Sequence, residues 1–194
     1  MNAYTRKKQP LLIRRALLDC AAEVAMERGV GGVTMQAVAD AVGVTKGGLF
    51  HHFPNKQALI EGMFTDLLER LDAEIDTTMA QDPHPCGSFT RAYVNSIFTG
   101  PSWGLQTLWS ALFMSAMTEP ALRQIWSNWI ADRMLRHRET DNSLHLYIIR
   151  LAADGAWLAF ITSGEAQASS ELLDVQARLL EQTATPYHTD GQGV

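Results

Sequence analysis

Residues 33–56 read VTMQAVADAVGVTKGGLFHHFPNK, and this stretch decides the fold. Thr34 stands where it can cap a short helix over 35–42, with Ala37, Val38 and Ala41 turned inward. Gly43 breaks that helix at a point where the chain must turn sharply, with φ > 0. Thr45 can cap a second short helix, from Lys46 to about His52, and Pro54-Asn55 stops and restarts the chain. Ala37, Val38, Ala41, Val44 and Leu49 are spaced to pin the two helices together. The pattern predicts a helix-turn-helix whose free face runs from Thr45 to His51. In such a motif the second helix lies in the major groove while the first crosses the DNA backbone.

Helical spacing continues on both sides. Upstream, Ile13, Leu17, Cys20, Ala21, Val24 and Ala25 form one stripe ending at Gly29. Downstream, a long helix carries Leu59, Ile60, Met63, Phe64, Leu67, Leu68, Leu71 and Ile75, and ends before Pro83–Gly87. Five more helices are expected: 89–98, 103–117 (apolar nearly all round, as inside a bundle), 122–133, 144–161 and 170–182. The Leu122, Ile125, Trp126, Trp129, Ile130, Arg133 series phases the third of these. Residues 186–194 read as a frayed tail. The fold class is therefore all-α with about nine helices: a three-helix domain over 1–55 that carries the helix-turn-helix, and a helical body over 56–194 whose expected ligand-binding and dimerisation roles rest on the aromatic cluster and the family resemblance given below.

Net charge hides a division. The 194 residues sum to −5, which taken alone argues against a nucleic-acid partner. Residues 1–60, however, hold eight basic side chains against four acidic ones, a net of +4, and the remainder nets −9. Every lysine lies at or before Lys56. Arg6, Lys7 and Lys8 form either an arm that reaches phosphates or a solvated tail.

Other classes find less support. There is no Ser, His and Asp spacing, no H-E-x-x-H and no Gly-rich phosphate loop, so no catalytic residue, no enzyme and no cofactor is expected. His51-His52 lack Cys or carboxylate partners at ligand spacing, so no metal is expected. Cys20 falls on the first apolar stripe and Cys86 in a loop; neither pairs, which reads as a reduced, cytoplasmic setting. No signal peptide is read, since the first apolar run stops at Arg14-Arg15, and no membrane span, since Gly100-Pro101 cut the longest charge-free stretch, 92–118.

The motif also resembles the TetR-type bacterial transcriptional regulators. The resemblance rests on LLDCAAEVAMERG (17–29), on Thr34 to Gly47 with its V-A-x-x-x-G-V-T-K-G core, and on LFHHFPNKQAL (49–59). Less tightly, YIIRLAADGAWL (147–158) resembles the subgroup that represses multidrug-efflux genes. The family resemblance implies a role for each matched position. Thr45 and Lys46 would meet phosphate or base edges, Gly47 would permit close backbone approach, and His51 would face the groove. Lys56 would hold a phosphate, and Gln36 would touch backbone or base from the first helix. The family often has tyrosine where this chain has Phe50, which removes one phosphate hydrogen bond. With Gly47 and Gly48 adjacent, direct base readout is lean and shape readout gains weight.

In the second half, all five tryptophans lie between 103 and 157. Each reads first as core, but Trp103, Trp109, Phe113, Trp126 and Trp129 together, with Met114, Met117 and Met134 among them, suit a flat lipophilic effector. Asp154, inside an apolar helix, either pairs with Arg150 one turn earlier or faces a cationic ligand. Glu119 and His145 are further candidates of that kind. The reading is a ligand-responsive repressor. It binds a pseudo-palindromic double-stranded DNA operator as a homodimer, through helices near 143–162 and 170–182, and a small lipophilic effector releases it. The alternatives are a TetR-like protein controlled by a partner protein and a helical-bundle enzyme with an incidental helix-turn-helix.

Overall fold

The computed structural model describes residues 3–99, 106–163 and 170–184; Trp103, the Gly100-Pro101 break and the tail lie outside the described residues. Within these, ten helices and no strand are present: α1 (Ala3–Gly32), α2 (Met35–Val42), α3 (Lys46–His52), α4 (Lys56–Ala80), α5 (Ser88–Thr99), α6 (Gln106–Thr118), α7 (Pro120–Arg136), α8 (Arg138–Asp141), α9 (Leu144–Ser163) and α10 (Ser170–Thr183). The one helix beyond the expected nine is α8, four polar residues with no apolar spacing to announce them.

The helix ends form as the sequence chemistry dictates. Thr34 Oγ1 accepts from the Ala37 amide at 3.1 Å, and Thr45 Oγ1 accepts from the Gly48 amide at 3.1 Å. Asn55 Oδ1 does the same for the Ala58 amide at 2.8 Å, opening α4. Gly43 sits at φ 74°, ψ 29°, in the left-handed region. Its amide donates to the Asp40 carbonyl and the Val44 amide to the Ala39 carbonyl, the paired bonds of a Schellman stop. α1 is interrupted at Gly29, which has φ 72° and ψ 166°.

The described residues divide into two compact units, one drawn from Met1–Arg70 and Leu105–Trp129, the other from Leu71–Gly104 and Ile130–Val194. α4 and α7 each contribute to both. In the first unit, α1 packs on α2 and α6, and α2 on α3. Leu17, Ala21, Val33, Val38, Leu49, Phe53 and Leu59 are buried at its centre. Val38 and Ala39 are the buried residues of α2, whereas Ala41, expected inward, is exposed. At Gly62 the Phe53 ring comes within 2.8 Å of where a Cβ would stand, so α4 accepts no side chain there without shifting the ring. Arg15 and Arg70 each bond both Asp19 and Asp66, an alternating network that holds α1 against α4. Half-exposed pairs of this kind add little stability, but they set a relative orientation. α6, expected to be enclosed, leaves Met114 and Met117 exposed.

The second unit packs α5, α9 and α10 on one another, with α8 against α5. Val94, Phe98, Leu146, Ile149, Ala153 and Leu179 form its apolar centre. Arg133, read from the sequence as part of an apolar stripe, is completely buried. Its guanidinium donates to the carboxylates of Asp72 and Asp76 and to the Asp72 carbonyl at 2.7 Å, and it lies 5.9 Å from the Phe89 ring centroid. A buried charge is tolerable only with such partners. α9 is long and apolar enough to cross a membrane by length and composition, but it packs within this unit. Its inner side carries Arg150, whose Nη1 donates to the Thr90 hydroxyl and the Asp141 carbonyl.

The left-handed turn is the feature most exposed to test. Gly43→Ala is expected to lose about 1 kcal/mol, the cost of a Cβ in this region. Gly43→Asn is expected to lose less, because asparagine tolerates it. Urea unfolding of both variants checks this, and an alanine variant as stable as the parent contradicts the turn geometry.

Candidate functional site

The helix-turn-helix offers one outward face. Leu49 is fully buried, so α3 is held by that side chain, and Gly48 and His52 are half-buried beside it. Thr45, Lys46, Gly47, Phe50 and His51 are all exposed. The Lys46 ammonium lies 6.0 Å from the Phe50 ring centroid, within cation–π range. Burial, with His51 and Arg14 close by, pushes His52 below the usual histidine range, so its ring is neutral near pH 7 and backs the face rather than joining it. Arg14 itself stacks over Phe53, its guanidinium carbon 5.0 Å from the centroid.

Two expected contacts have local partners. Gln36 is exposed and donates from Nε2 to Asp40 Oδ1 at 2.7 Å, one turn along α2. Lys56 Nζ donates to the Gly31 carbonyl at 2.8 Å, tying the start of α4 to the end of α1. An ammonium has three donors, so two remain for a phosphate. At Gly48 a Cβ would stand 3.3 Å from the capping hydroxyl of Thr45, so glycine there keeps the cap uncrowded.

The aromatic candidates in the first unit come together. Trp109 and Phe113 stack at 6.0 Å, Phe113 meets Trp126 edge-on at 4.9 Å, and Trp126 stacks on Trp129 at 5.1 Å. Phe64 of α4 adjoins Trp109 at 6.4 Å. Trp109 is buried, while Phe113, Trp126 and Trp129 are half-buried and keep ring surface open. A separate cleft of about 440 Å³ lies beside the first turn of α4, with Lys56, Gln57 and Ile60 on one wall and Ser115, Thr118, Glu119 and Leu122 on another. Glu119, an effector candidate, is thus on that cleft, and the aromatic rings are not among its walls.

Asp154 belongs to the second unit. It accepts a hydrogen bond from the Tyr93 hydroxyl at 2.7 Å, not an ion pair from Arg150. Arg150 instead donates to Thr90 Oγ1 at 2.6 Å and to the Asp141 carbonyl at 3.2 Å, and the Thr90 hydroxyl donates onward to Asp141 Oδ1 at 2.7 Å. Burial raises Asp154 above the usual carboxylate range, against the hydrogen bond from Tyr93 and the charge of Arg150. Burial, then Asp154, holds the Tyr93 phenol protonated. Sequence reasoning missed Tyr93 and Thr90. Their only signal was their spacing with Phe89, Val94 and Phe98 on the buried side of an amphipathic helix. His145 faces the Gln182 carbonyl at 2.9 Å.

Among the described residues no three His, Cys, Asp or Glu side chains converge as a metal group. Burial, with Glu23 close by, raises the half-buried Cys20 thiol and so disfavours its thiolate. Cys86 is exposed, its thiol 3.6 Å from the Thr140 carbonyl oxygen.

Two short capped helices with a bare, cation-bearing outer face define a helix-turn-helix protein. Residues 17–63 match the family described as "Bacterial regulatory proteins, tetR family", and residues 87–184 match "Tetracyclin repressor-like, C-terminal domain". The chain belongs to the TetR family: it is a DNA-binding transcriptional regulator, and the proteins it resembles are regulators, not enzymes. It is 27% identical over 166 residues to the HTH-type transcriptional regulator BetI of Escherichia coli O157:H7, covering 78% of this chain and 84% of that one. It is 30% identical over 88 residues to the HTH-type transcriptional repressor KstR2 of Mycolicibacterium smegmatis, covering 45% of this chain and 43% of that one. Its fold is similar to that of multidrug binding protein EbrR complexed with ethidium, with a TM-score of 0.66 and 19% identity over 86% of this chain and 97% of that one.

The raised Asp154 carboxyl has a pH consequence. A carboxyl whose pKa is higher folded than unfolded favours folding when protonated, and that contribution is lost as pH rises past the ordinary carboxylate range. Asp154→Asn keeps an acceptor for Tyr93 and carries no charge. The variant is expected to gain stability relative to the parent at about pH 7 and to lose that advantage at about pH 4. Thermal unfolding at the two pH values measures this, and an advantage that grows toward acid contradicts the environment described for Asp154.

Proposed function

We propose that this protein is a ligand-responsive repressor that docks α3 in the major groove of a pseudo-palindromic operator. The supporting observation is the exposed face of Thr45, Lys46, Gly47, Phe50 and His51, fixed by the burial of Leu49 behind it. Gln36 and Lys56 flank that face and meet the phosphate backbone. In this reading residues 1–55 are the reading head, and residues 56–194 bind effector and dimerise. The setting is the cytoplasm, where the operator is.

A homodimer follows from the operator symmetry. Two heads must reach half-sites about 34–36 Å apart, one turn of DNA. The proposed pairing surface is α9 with α10. Leu144, Tyr147, Ile148, Leu151 and Leu158 are exposed along α9, with Leu173 and Val175 on α10. An apolar stripe this long on a helix surface calls for a covering partner.

The effector is a small, lipophilic, cationic aromatic molecule. Two features support that class, each within its own unit: the open ring faces of Phe113, Trp126 and Trp129, and the Asp154 carboxylate, whose pairing a cation would favour. The similarly folded multidrug binding protein EbrR, complexed with ethidium, supports the same class. α4 runs unbroken from Lys56 to Ala80, so an effector that displaces it moves the head and spoils the half-site spacing. Swinging the operator from nearly full to nearly empty requires about 5.5 kcal/mol of differential binding.

The DNA arm is tested by fluorescence anisotropy on the upstream intergenic DNA across a salt series. Lys46→Ala with Lys56→Ala is expected to reduce the salt slope by about one unit per lysine per copy, about four in a dimer. An unchanged slope removes both residues from the phosphate contacts. The effector arm is tested by thermal shift without DNA, using a planar dye cation. Stabilisation that Trp126→Ala abolishes supports the reading, and no stabilisation by any planar cation overturns the effector class.

A further inference from the structure

Phe50 lies at the middle of the reading face. α3 advances about 100° per residue, so Lys46, Gly47, Phe50 and His51 share one arc of about 140°. Gly48, Leu49 and His52 fall outside it, in agreement with their burial. Within the arc, Lys46 and His51 stand at the edges while Gly47 and Phe50 stand at the centre. Gly47 has no side chain, and the nearest atom to a Cβ built there is Thr45 Oγ1 at 4.0 Å, so the centre is open on that side. Phe50 is therefore the one side chain that projects from the middle of the face, and 39% of it is exposed. Lys46 lies over one side of its ring, which limits where the ring can turn.

A phenyl ring carries no donor and no acceptor. Pressed against a base edge that needs a hydrogen bond, it would strand a polar group away from water. The major groove offers one apolar feature, the 5-methyl group of thymine. We propose that Phe50 is a specificity-determining residue that reads the thymine 5-methyl group once in each half-site. This rests on the reading of α3 as the groove-entering helix. It also gives Gly47 a purpose: with no side chain there, the helix approaches closely enough for the ring to reach the methyl. The readout is lean, one methyl contact flanked by Lys46 and His51, and it is centred.

The test uses the full chain and the duplex that the protein itself enriches from random DNA. Each thymine of that duplex is replaced in turn by deoxyuridine, which removes only the methyl, and affinity is measured by anisotropy. One symmetry-related thymine per half-site is expected to lose about fourfold in affinity on replacement, the worth of one buried methyl-sized group. Phe50→Ala is expected to bind more weakly and to be indifferent to that replacement. Phe50→Leu, which keeps an apolar contact and guards against a folding defect, is expected to retain part of the sensitivity. Equal sensitivity in parent and Phe50→Ala overturns the assignment, as does a half-site in which no thymine methyl matters. A chain that enriches no sequence at all overturns the groove-entering reading of α3 first, and this assignment with it.

Discussion

The reading head depends on one backbone turn. α2 and α3 are eight and seven residues long, too short to persist as isolated helices. They hold because their ends are chemically closed. Thr34 starts the first, Gly43 in the left-handed region ends it with two carbonyls satisfied, and Thr45 starts the second only two residues later. Closing both helices across so short a connection leaves little freedom in their crossing angle. Leu49 then locks the rotation of α3, and the outward arc from Lys46 to His51 follows from those two constraints. Around this motif, the Arg15–Asp19–Asp66–Arg70 network and the contact of Phe53 with Gly62 set the first part of α4 against α1 and α3.

The second unit solves a different problem, charge inside apolar helices. Arg133, Arg150 and Asp141 are buried, and each is satisfied by groups on another helix or by adjacent backbone. Such networks specify one packing of the helices more than they add stability, since breaking a member costs more than the whole contributes. Asp154 is the exception, half-buried and bonded only through the Tyr93 hydroxyl among the hydrogen bonds described.

What was legible in the sequence followed the range of the interaction. The caps at Thr34, Gly43 and Thr45, and the start at Asn55, are contacts within a few residues, and each forms as its residue type predicts. The phase of α2 was less legible. Alanines at 37, 39 and 41 carry little hydrophobic weight, so the sequence did not separate them by side, and Ala39 rather than Ala41 is buried. Long-range partners were not legible at all. Arg150 is four residues from Asp154, yet the carboxylate bonds Tyr93, 61 residues away, and Arg133 finds Asp72 at the same separation. Charge division was the exception among global signals: a net −5 concealed the basic head because composition sums over parts with different partners.

The central claim is that two α3 faces read two major grooves at once. Hydroxyl-radical footprinting of the intact protein on its selected duplex tests it most directly. The account predicts two protected patches on one face of the DNA, centred about one helical turn apart, around two major-groove segments. A single patch, or protection spread evenly along the duplex, would contradict it.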